Sequence, residues 1–271
     1  MSVHNEAKRI TTAVIAEMKQ SGEKITMLTG YDYSTARILD QAGIEMILVG
    51  DSAANVFAGY DTTLPITLDQ MIYHASAVVR AVKRAMVIVD LPFGTYQGDP
   101  NKALESAIRV MKETGAQGIK VEGGVEIKDA VEKITQAGIP VVGHLGLTPQ
   151  SINQFGNFGL RASNDGEAHV LHQNFAALIE AGCFAVVLEK IPAKVAQELT
   201  NHARIPTIGI GAGAYCDGQV LVVNDMLGLT ENFKPKFLRQ YLNLHNEITN
   251  AVRQYIMDVK NSSFPSEEEQ Y

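Results

Sequence analysis

Short apolar runs recur along the chain, and most of them close abruptly on a polar residue. The runs 25–30 (ITMLTG), 45–50 (EMILVG), 86–91 (MVIVDL), 117–122 (QGIKVE), 139–143 (IPVVG), 184–189 (FAVVLE), 206–210 (PTIGI) and 220–224 (VLVVN) predict eight strands. Runs rich in Val, Ile and Leu with little alternation are those of strands buried on both faces. Between them, 68–84, 100–114, 126–137 and 166–181 place apolar residues at helical spacing, and each predicts a helix covering the sheet. Gly43, Gly115, Gly138 and Gly182 end helices just before the next strand, where glycine supplies a left-handed cap. The fold class is α/β. Strict alternation with eight strands predicts a single closed (β/α)8 barrel over residues 1–271, without a linker that would mark a second domain. An N-terminal helix is expected over about 1–22, one or two helices over 235–260, and a loose acidic tail over about 261–271.

Barrels of this kind build their sites from the C-terminal ends of the strands. There this chain places Asp51 with Ser52, Asp90, Lys120 with Glu122, His144 and Glu189. Asp51, Asp90 and Glu122 offer only oxygen ligands, with no cysteine close by, which suits Mg²⁺ better than zinc. Such an ion would be chelated by the carboxylate and ketone oxygens of a 2-oxo acid, and some of the acids would touch it through water. Lys120 and Glu122 lie two apart on one strand and share a face. They form either a structural ion pair or a cation that grips substrate carboxylate or developing oxyanion. Glu189 closes an apolar strand, and apolar surroundings raise a carboxylate's pKa toward that of a general base; its alternative is a cap on a helix beginning near Pro192. His144 either contacts substrate or is a satisfied core histidine. The glycines of 209–213 read as a plain turn, since they match neither a dinucleotide nor a P-loop spacing. Cys216 lies in a loop with no histidine placed by sequence to activate it.

Composition narrows the setting. The 271 residues are near the roughly 250 of one barrel. A net charge of -7 without a basic block argues against nucleic acid. No run reaches the roughly 20 apolar residues that span a bilayer, and the N-terminal stretch mixes charges into an amphipathic pattern unlike a signal peptide. Two cysteines, Cys183 and Cys216, cannot make a disulfide framework, and a reducing cytoplasm is expected.

Taken in order, TGYDYSTARILDQAGIEMILVGDS, GYDTTLPITLDQMIYH, VDLPFGTY, IKVEGG, PVVGHLGLTPQSIN, VVLEKIP, IPTIGIGAGAYCDGQVLVVNDMLGL and AVRQY resemble the ketopantoate hydroxymethyltransferase family over roughly residues 5–265. The resemblance implies a β/α barrel that transfers a hydroxymethyl group from 5,10-methylenetetrahydrofolate to 3-methyl-2-oxobutanoate through a Mg²⁺-stabilised enolate, giving 2-dehydropantoate for pantothenate and coenzyme A synthesis. It implies Asp51, Asp90 and Glu122 as the magnesium site. Asp51, Ser52, Asp90 and Lys120 become the keto-acid contacts and Glu189 the base, while His144 remains a substrate-contact candidate from its strand position alone. A homo-oligomer, often a decamer, is implied as well. The chain departs from the family pattern at Ala53-Ala54-Asn55 after GDS, at Asn157-Phe158 where a lysine-bearing stretch is usual, at Lys190 after the base and at Asn224. Two rival readings stand beside this one. One is a Mg²⁺-dependent lyase or mutase of the phosphoenolpyruvate mutase and isocitrate lyase type, which shares the barrel but often carries a Lys-Lys-Cys-Gly loop not found here. The other is a non-catalytic metal-binding barrel subunit.

Overall fold

A computed structural model of the chain describes residues 9–231 and 233–271. Eight parallel strands close into a barrel in sequence order: β1 (Ile25–Thr29), β2 (Met46–Val49), β3 (Met86–Asp90), β4 (Gly118–Glu122), β5 (Val141–Gly146), β6 (Ala185–Glu189), β7 (Thr207–Ile210) and β8 (Gly218–Leu221). The helices are α1 (Thr12–Ser21), α2 (Tyr33–Gln41), α3 (Ala53–Val56), α4 (Leu68–Ala81), α5 (Pro100–Thr114), α6 (Lys128–Gln136), α7 (Ile152–Phe155), α8 (Asp165–Glu180), α9 (Ala193–His202), α10 (Val223–Met226) and α11 (Leu244–Lys260). The chain divides into a barrel unit through Val222 and a second compact unit, Val223–Tyr271, that holds α10 and α11.

Local chemistry explains where the elements begin and end. Thr67 and Gln70 close a reciprocal capping box at the start of α4, and Asp99 caps α5 with Pro100 in its first turn. Gly43, Gly115, Gly138 and Gly182 all adopt positive φ, so the glycine stops read from the sequence are left-handed turns.

Two strand boundaries differ from expectation. β5 runs to Gly146, so His144 lies inside the strand and not at its stop. β8 spans 218–221, and Val223 and Asn224 open α10. Of the C-terminal 235–260 stretch, 244–260 is helical, and the acidic tail contains a short 3-10 turn at Glu267–Glu269. The first eight residues of the expected N-terminal helix lie outside the described residues.

Alternation fills the barrel interior. One buried cluster joins Ile25 and Met27, Met46 and Leu48, Met86 and Ile88, Val142, Ala185 and Val187, Ile208 and Val220 with Ile15 and Met18 of α1. β1, β2, β3 and β6 each contribute two residues two apart, the inward set of a barrel strand, and β5, β7 and β8 contribute one each. Burying such side chains contributes about 1.5–3 kcal/mol apiece, which makes this cluster the platform on which the site rests.

Candidate active site

The inward set continues above the apolar layer and becomes ionisable. On β3 the step after Met86 and Ile88 is Asp90; on β4 the inward positions are Gly118, Lys120 and Glu122; on β5 Val142 is followed by His144; on β6 Ala185 and Val187 are followed by Glu189. Strand register then sets neighbours: Asp90 pairs with Lys120, Glu122 with His144, and Gly146 with Glu189. Asp51 arrives from β2 through Gly50. A Cβ on Gly50 would sit 2.7 Å from Ser52 Oγ, so the glycine lets the turn pass close.

The charged groups form one contiguous network. Lys120 Nζ lies 2.9 Å from Asp90 Oδ1 and 3.6 Å from Glu122 Oε1. Asp90 Oδ2 accepts the Asp51 backbone N–H at 3.1 Å. His144 Nδ1 is 3.1 Å from Glu122 Oε1, and its Nε2 is 3.3 Å from Glu189 Oε2. Asp51, Asp90, Lys120, Glu122 and His144 are all buried.

Crowding shifts their protonation. Burial, then Glu122 and Asp90, pushes the Asp51 carboxyl up to about 8. Burial raises Asp90 as well, against the pull of Lys120. Burial would also raise Glu122, but His144 and Lys120 hold it below its usual range. Burial opposes charge on Lys120, yet Asp90, Glu122 and Asp51 together raise its pKa above the ordinary lysine value. His144 is lifted to about 9: burial and Lys120 disfavour its charged form, and the Glu122 and Glu189 carboxylates outweigh them. Lys120 Nζ stands 3.2 Å from His144 Nδ1, on the same side of the ring as Glu122. The His144 ring stands between the Glu122 and Glu189 carboxylates.

Two residues without a sequence-assigned role hold this network. Gln150, at the turn before α7, donates through Nε2 to Asp51 Oδ2 at 2.9 Å, and its backbone N–H donates to Glu122 Oε2 at 2.9 Å. Tyr96, in the loop after β3, accepts the Glu122 N–H at 2.9 Å and reaches Gln150 Oε1 at 2.7 Å. Burial, with Glu122 adding to it, raises the Tyr96 phenol well above its usual value, so it stays protonated. Both lie in segments that stand out in the sequence, VDLPFGTY and GHLGLTPQS, but loop residues carry no periodicity that would reveal burial.

The remaining candidates separate. Glu189 joins the cluster through His144 and is its most exposed acid, with a side chain 16% accessible. The Lys190 ammonium donates to the Phe158 carbonyl, and its backbone adopts a left-handed φ of 47°. Ser52 pairs with the Tyr31 hydroxyl at 2.8 Å, and Phe57 packs on the Tyr31 ring. Of the glycines of 209–213, Gly209 lies inside β7 and pairs with Gln219, and Gly211 and Gly213 form the turn that follows at positive φ. Cys216 is fully buried and its thiol is pushed up by burial, which removes it as a nucleophile.

Among the described residues no three His, Cys, Asp or Glu side chains are already gathered as metal ligands. The donor chemistry still fits a hard cation, because Asp51 is held in a buried site beside two further carboxylates that share one lysine. A cation beside Asp51 and Asp90 would relieve that repulsion.

A closed barrel crowned by buried carboxylates, a lysine and a histidine at the C-terminal ends of its strands has the arrangement of a β/α-barrel active site. The profile of the ketopantoate hydroxymethyltransferase family matches residues 9–267. A 3-methyl-2-oxobutanoate hydroxymethyltransferase of Flavobacterium johnsoniae is 61% identical over 264 residues, covering 97% of each chain. Among solved structures, 2,3-dimethylmalate lyase, a member of the PEP mutase/isocitrate lyase superfamily, aligns with a TM-score of 0.57 at 14% identity, covering 96% of this chain and 91% of its own. Phosphonopyruvate hydrolase in complex with oxalate and Mg²⁺ aligns with a TM-score of 0.61 at 12% identity, covering 95% and 92%. These two share the fold. The chain belongs to the ketopantoate hydroxymethyltransferase family and is an enzyme, which removes the reading of a non-catalytic subunit.

Proposed function

We propose that this chain transfers a hydroxymethyl group from 5,10-methylenetetrahydrofolate to 3-methyl-2-oxobutanoate, giving 2-dehydropantoate for pantothenate and coenzyme A synthesis. Family membership supports the reaction, and the observation that supports its manner is the buried cluster of three acids around Lys120. Asp51 and Asp90 would hold Mg²⁺ directly. Glu122 would reach it through water, since His144 and the Gln150 N–H already engage its oxygens. Bound there, the ion supplies Lewis acidity to the oxygens of the keto acid. The hydrolase of the same fold carries Mg²⁺ with oxalate in its own complex.

Around the keto acid the side chains divide the work. Ser52 and Lys120 bind its oxygens. Glu189 takes the C3 proton, and His144, facing Glu189 at 3.3 Å, keeps that carboxylate oriented. Negative charge left on the ketone oxygen faces the Lys120 ammonium, which is fixed before the reaction begins and needs no reorganisation. C3 of the enolate then forms a bond to the one-carbon unit of the folate as that carbon's bond to N10 opens. Water displaces N5, its oxygen becoming the hydroxyl of the product, and the folate nitrogens regain their protons as tetrahydrofolate leaves.

Assembly into a homo-oligomer, a decamer in the family pattern, is part of the same proposal. It is supported by the apolar stripe of Ile248, Val252, Tyr255, Ile256 and Val259 on α11, all exposed. Two free, buried thiols fit a reducing cytoplasm, and among the described residues no helix is long and apolar enough to cross a membrane. The deciding experiment supplies purified protein and Mg²⁺ with both substrates. Folate-dependent conversion of 3-methyl-2-oxobutanoate to 2-dehydropantoate is expected. Folded, metal-loaded protein that forms no product would contradict the proposal.

A further inference from the structure

Gln150 satisfies every hydrogen-bonding position of its side chain while 95% buried. Its Nε2 donates to Asp51 Oδ2 at 2.9 Å and to the Leu91 carbonyl at 3.0 Å. Its Oε1 accepts from the Tyr96 hydroxyl at 2.7 Å and from Gln97 Nε2 at 2.9 Å. An amide carries two donor hydrogens and two acceptor lone pairs, so nothing is left over. The orientation is fixed as well. A flipped amide would set its oxygen against the Leu91 carbonyl and the Asp51 carboxylate, both acceptors, and would turn its NH₂ toward the Gln97 NH₂.

The backbone of the same residue holds Glu122 Oε2, and the Tyr96 hydroxyl behind the amide accepts the Glu122 N–H. One residue therefore locks an oxygen of Asp51 and an oxygen of Glu122, acids carried by different strands. Asp51 makes a second fixed contact through its backbone, to Asp90 Oδ2.

We propose that Gln150 is the positioning residue of the cation platform: its amide, braced by Tyr96, turns Asp51 so that the carboxylate oxygen not bound to Gln150 faces the ion. This rests on the proposal that Asp51 and Asp90 hold a divalent cation. It adds a determinant outside the ligand set, one that acts through Asp51 without touching the ion. Partners that orient a metal-binding carboxylate commonly govern affinity by 10- to 100-fold.

Divalent-cation affinity tests it without reference to turnover. Mg²⁺ binding by calorimetry and Mn²⁺ binding by electron paramagnetic resonance are measured on the intact chain, on Gln150→Met and on Tyr96→Phe. Gln150→Met keeps the length of the side chain and removes both amide functions. Its Kd for either ion is expected to rise about 10- to 100-fold. Tyr96→Phe keeps Gln150 but removes the brace, and a smaller rise of roughly three- to tenfold is expected, since the hydroxyl's bonds to the Gln150 amide and from the Glu122 N–H are lost while Gln150 still holds Asp51. In the double variant the two effects are expected to combine to less than their product, because the bond between hydroxyl and amide is common to both.

A merely structural Gln150 would lower the melting temperature of the metal-free protein and leave Kd unchanged, which overturns the proposal. Where Gln150→Met does not fold, Tyr96→Phe decides, and unchanged affinity in that variant overturns it. Wild-type protein that binds neither ion would overturn the cation platform and this proposal together, an outcome distinct from wild-type binding that Gln150→Met preserves.

Discussion

Replacing Lys120 by methionine should expose how much repulsion the site stores. Lys120 is 3% exposed and stands 2.9 Å from Asp90 and 3.6 Å from Glu122, with Asp51 also raising its pKa. Methionine keeps most of the side-chain volume and removes the charge, so Asp90 loses its ion-pair partner and Asp51 and Glu122 lose a nearby positive charge. Removing one partner of a buried ion pair destabilises by about 3–5 kcal/mol. At roughly 2 °C per kcal/mol for a chain of this size, the metal-free melting temperature should fall by roughly 6–10 °C. Protons can take the place of the lysine by neutralising Asp51 and Asp90, whose pKa values already lie above the ordinary carboxylate value. The deficit should therefore shrink toward pH 5 and grow toward pH 9. Saturating Mg²⁺ should narrow it as well, because a ligand that binds the folded state stabilises the variant by mass action. Thermal melts of both proteins in EDTA and in Mg²⁺, across that pH range, measure each term. A variant that melts with wild type at every pH would refute the claim that Lys120 holds the acids together.

Other consequences follow from the same geometry. Asp51, at about 8, carries a proton in the metal-free protein at neutral pH, and the ion must displace it. Mg²⁺ affinity should thus rise about tenfold per pH unit below 8 and level off above it, and pH-independent calorimetric affinity would contradict this. Gly146 adopts φ +93°, and a Cβ there would lie 2.1 Å from the Glu189 carbonyl oxygen. Gly146→Ala should cost at least about 1–2 kcal/mol in urea unfolding and slow C3-proton removal more than about tenfold by displacing Glu189. Wild-type stability and exchange in that variant would show that the end of β6 is not held by this contact.

Much of the barrel was legible because its strands are buried on both faces and its helices on one. The inward ionisable residues were legible too, since Asp90 and Glu189 follow apolar strand positions at a spacing of two, and Lys120 and Glu122 stand two apart on one strand. β8 was misplaced by a few residues for a physical reason. VLVVN is apolar enough for either a strand or a buried helix, whereas Gly218-Gln219 reads as a turn. Packing reverses this: a Cβ on Gly218 would stand 2.4 Å from the Ile25 carbonyl and 2.7 Å from Ile208 Cδ1, so the glycine lets β8 close the barrel between β1 and β7. The four-residue helices α3, α7 and α10 are too short to develop a 3.6-residue period. Gln150 and Tyr96 stayed hidden because their burial arises from loops folding over the barrel mouth, a long-range event with no local signature. The link from Glu122 through His144 to Glu189 was hidden likewise, since it is created by strand register.

We propose that the ring of polar strand ends removes a proton from a keto acid, with Glu189 as the base. Exchange of the C3 proton of 3-methyl-2-oxobutanoate with deuterated water, followed by proton NMR with Mg²⁺ and without folate, isolates that step. Wild-type protein should exchange it, and Glu189→Gln, which keeps the shape and the contact to His144, should be about 10²–10⁴-fold slower. Exchange by Glu189→Gln at the wild-type rate would contradict the account.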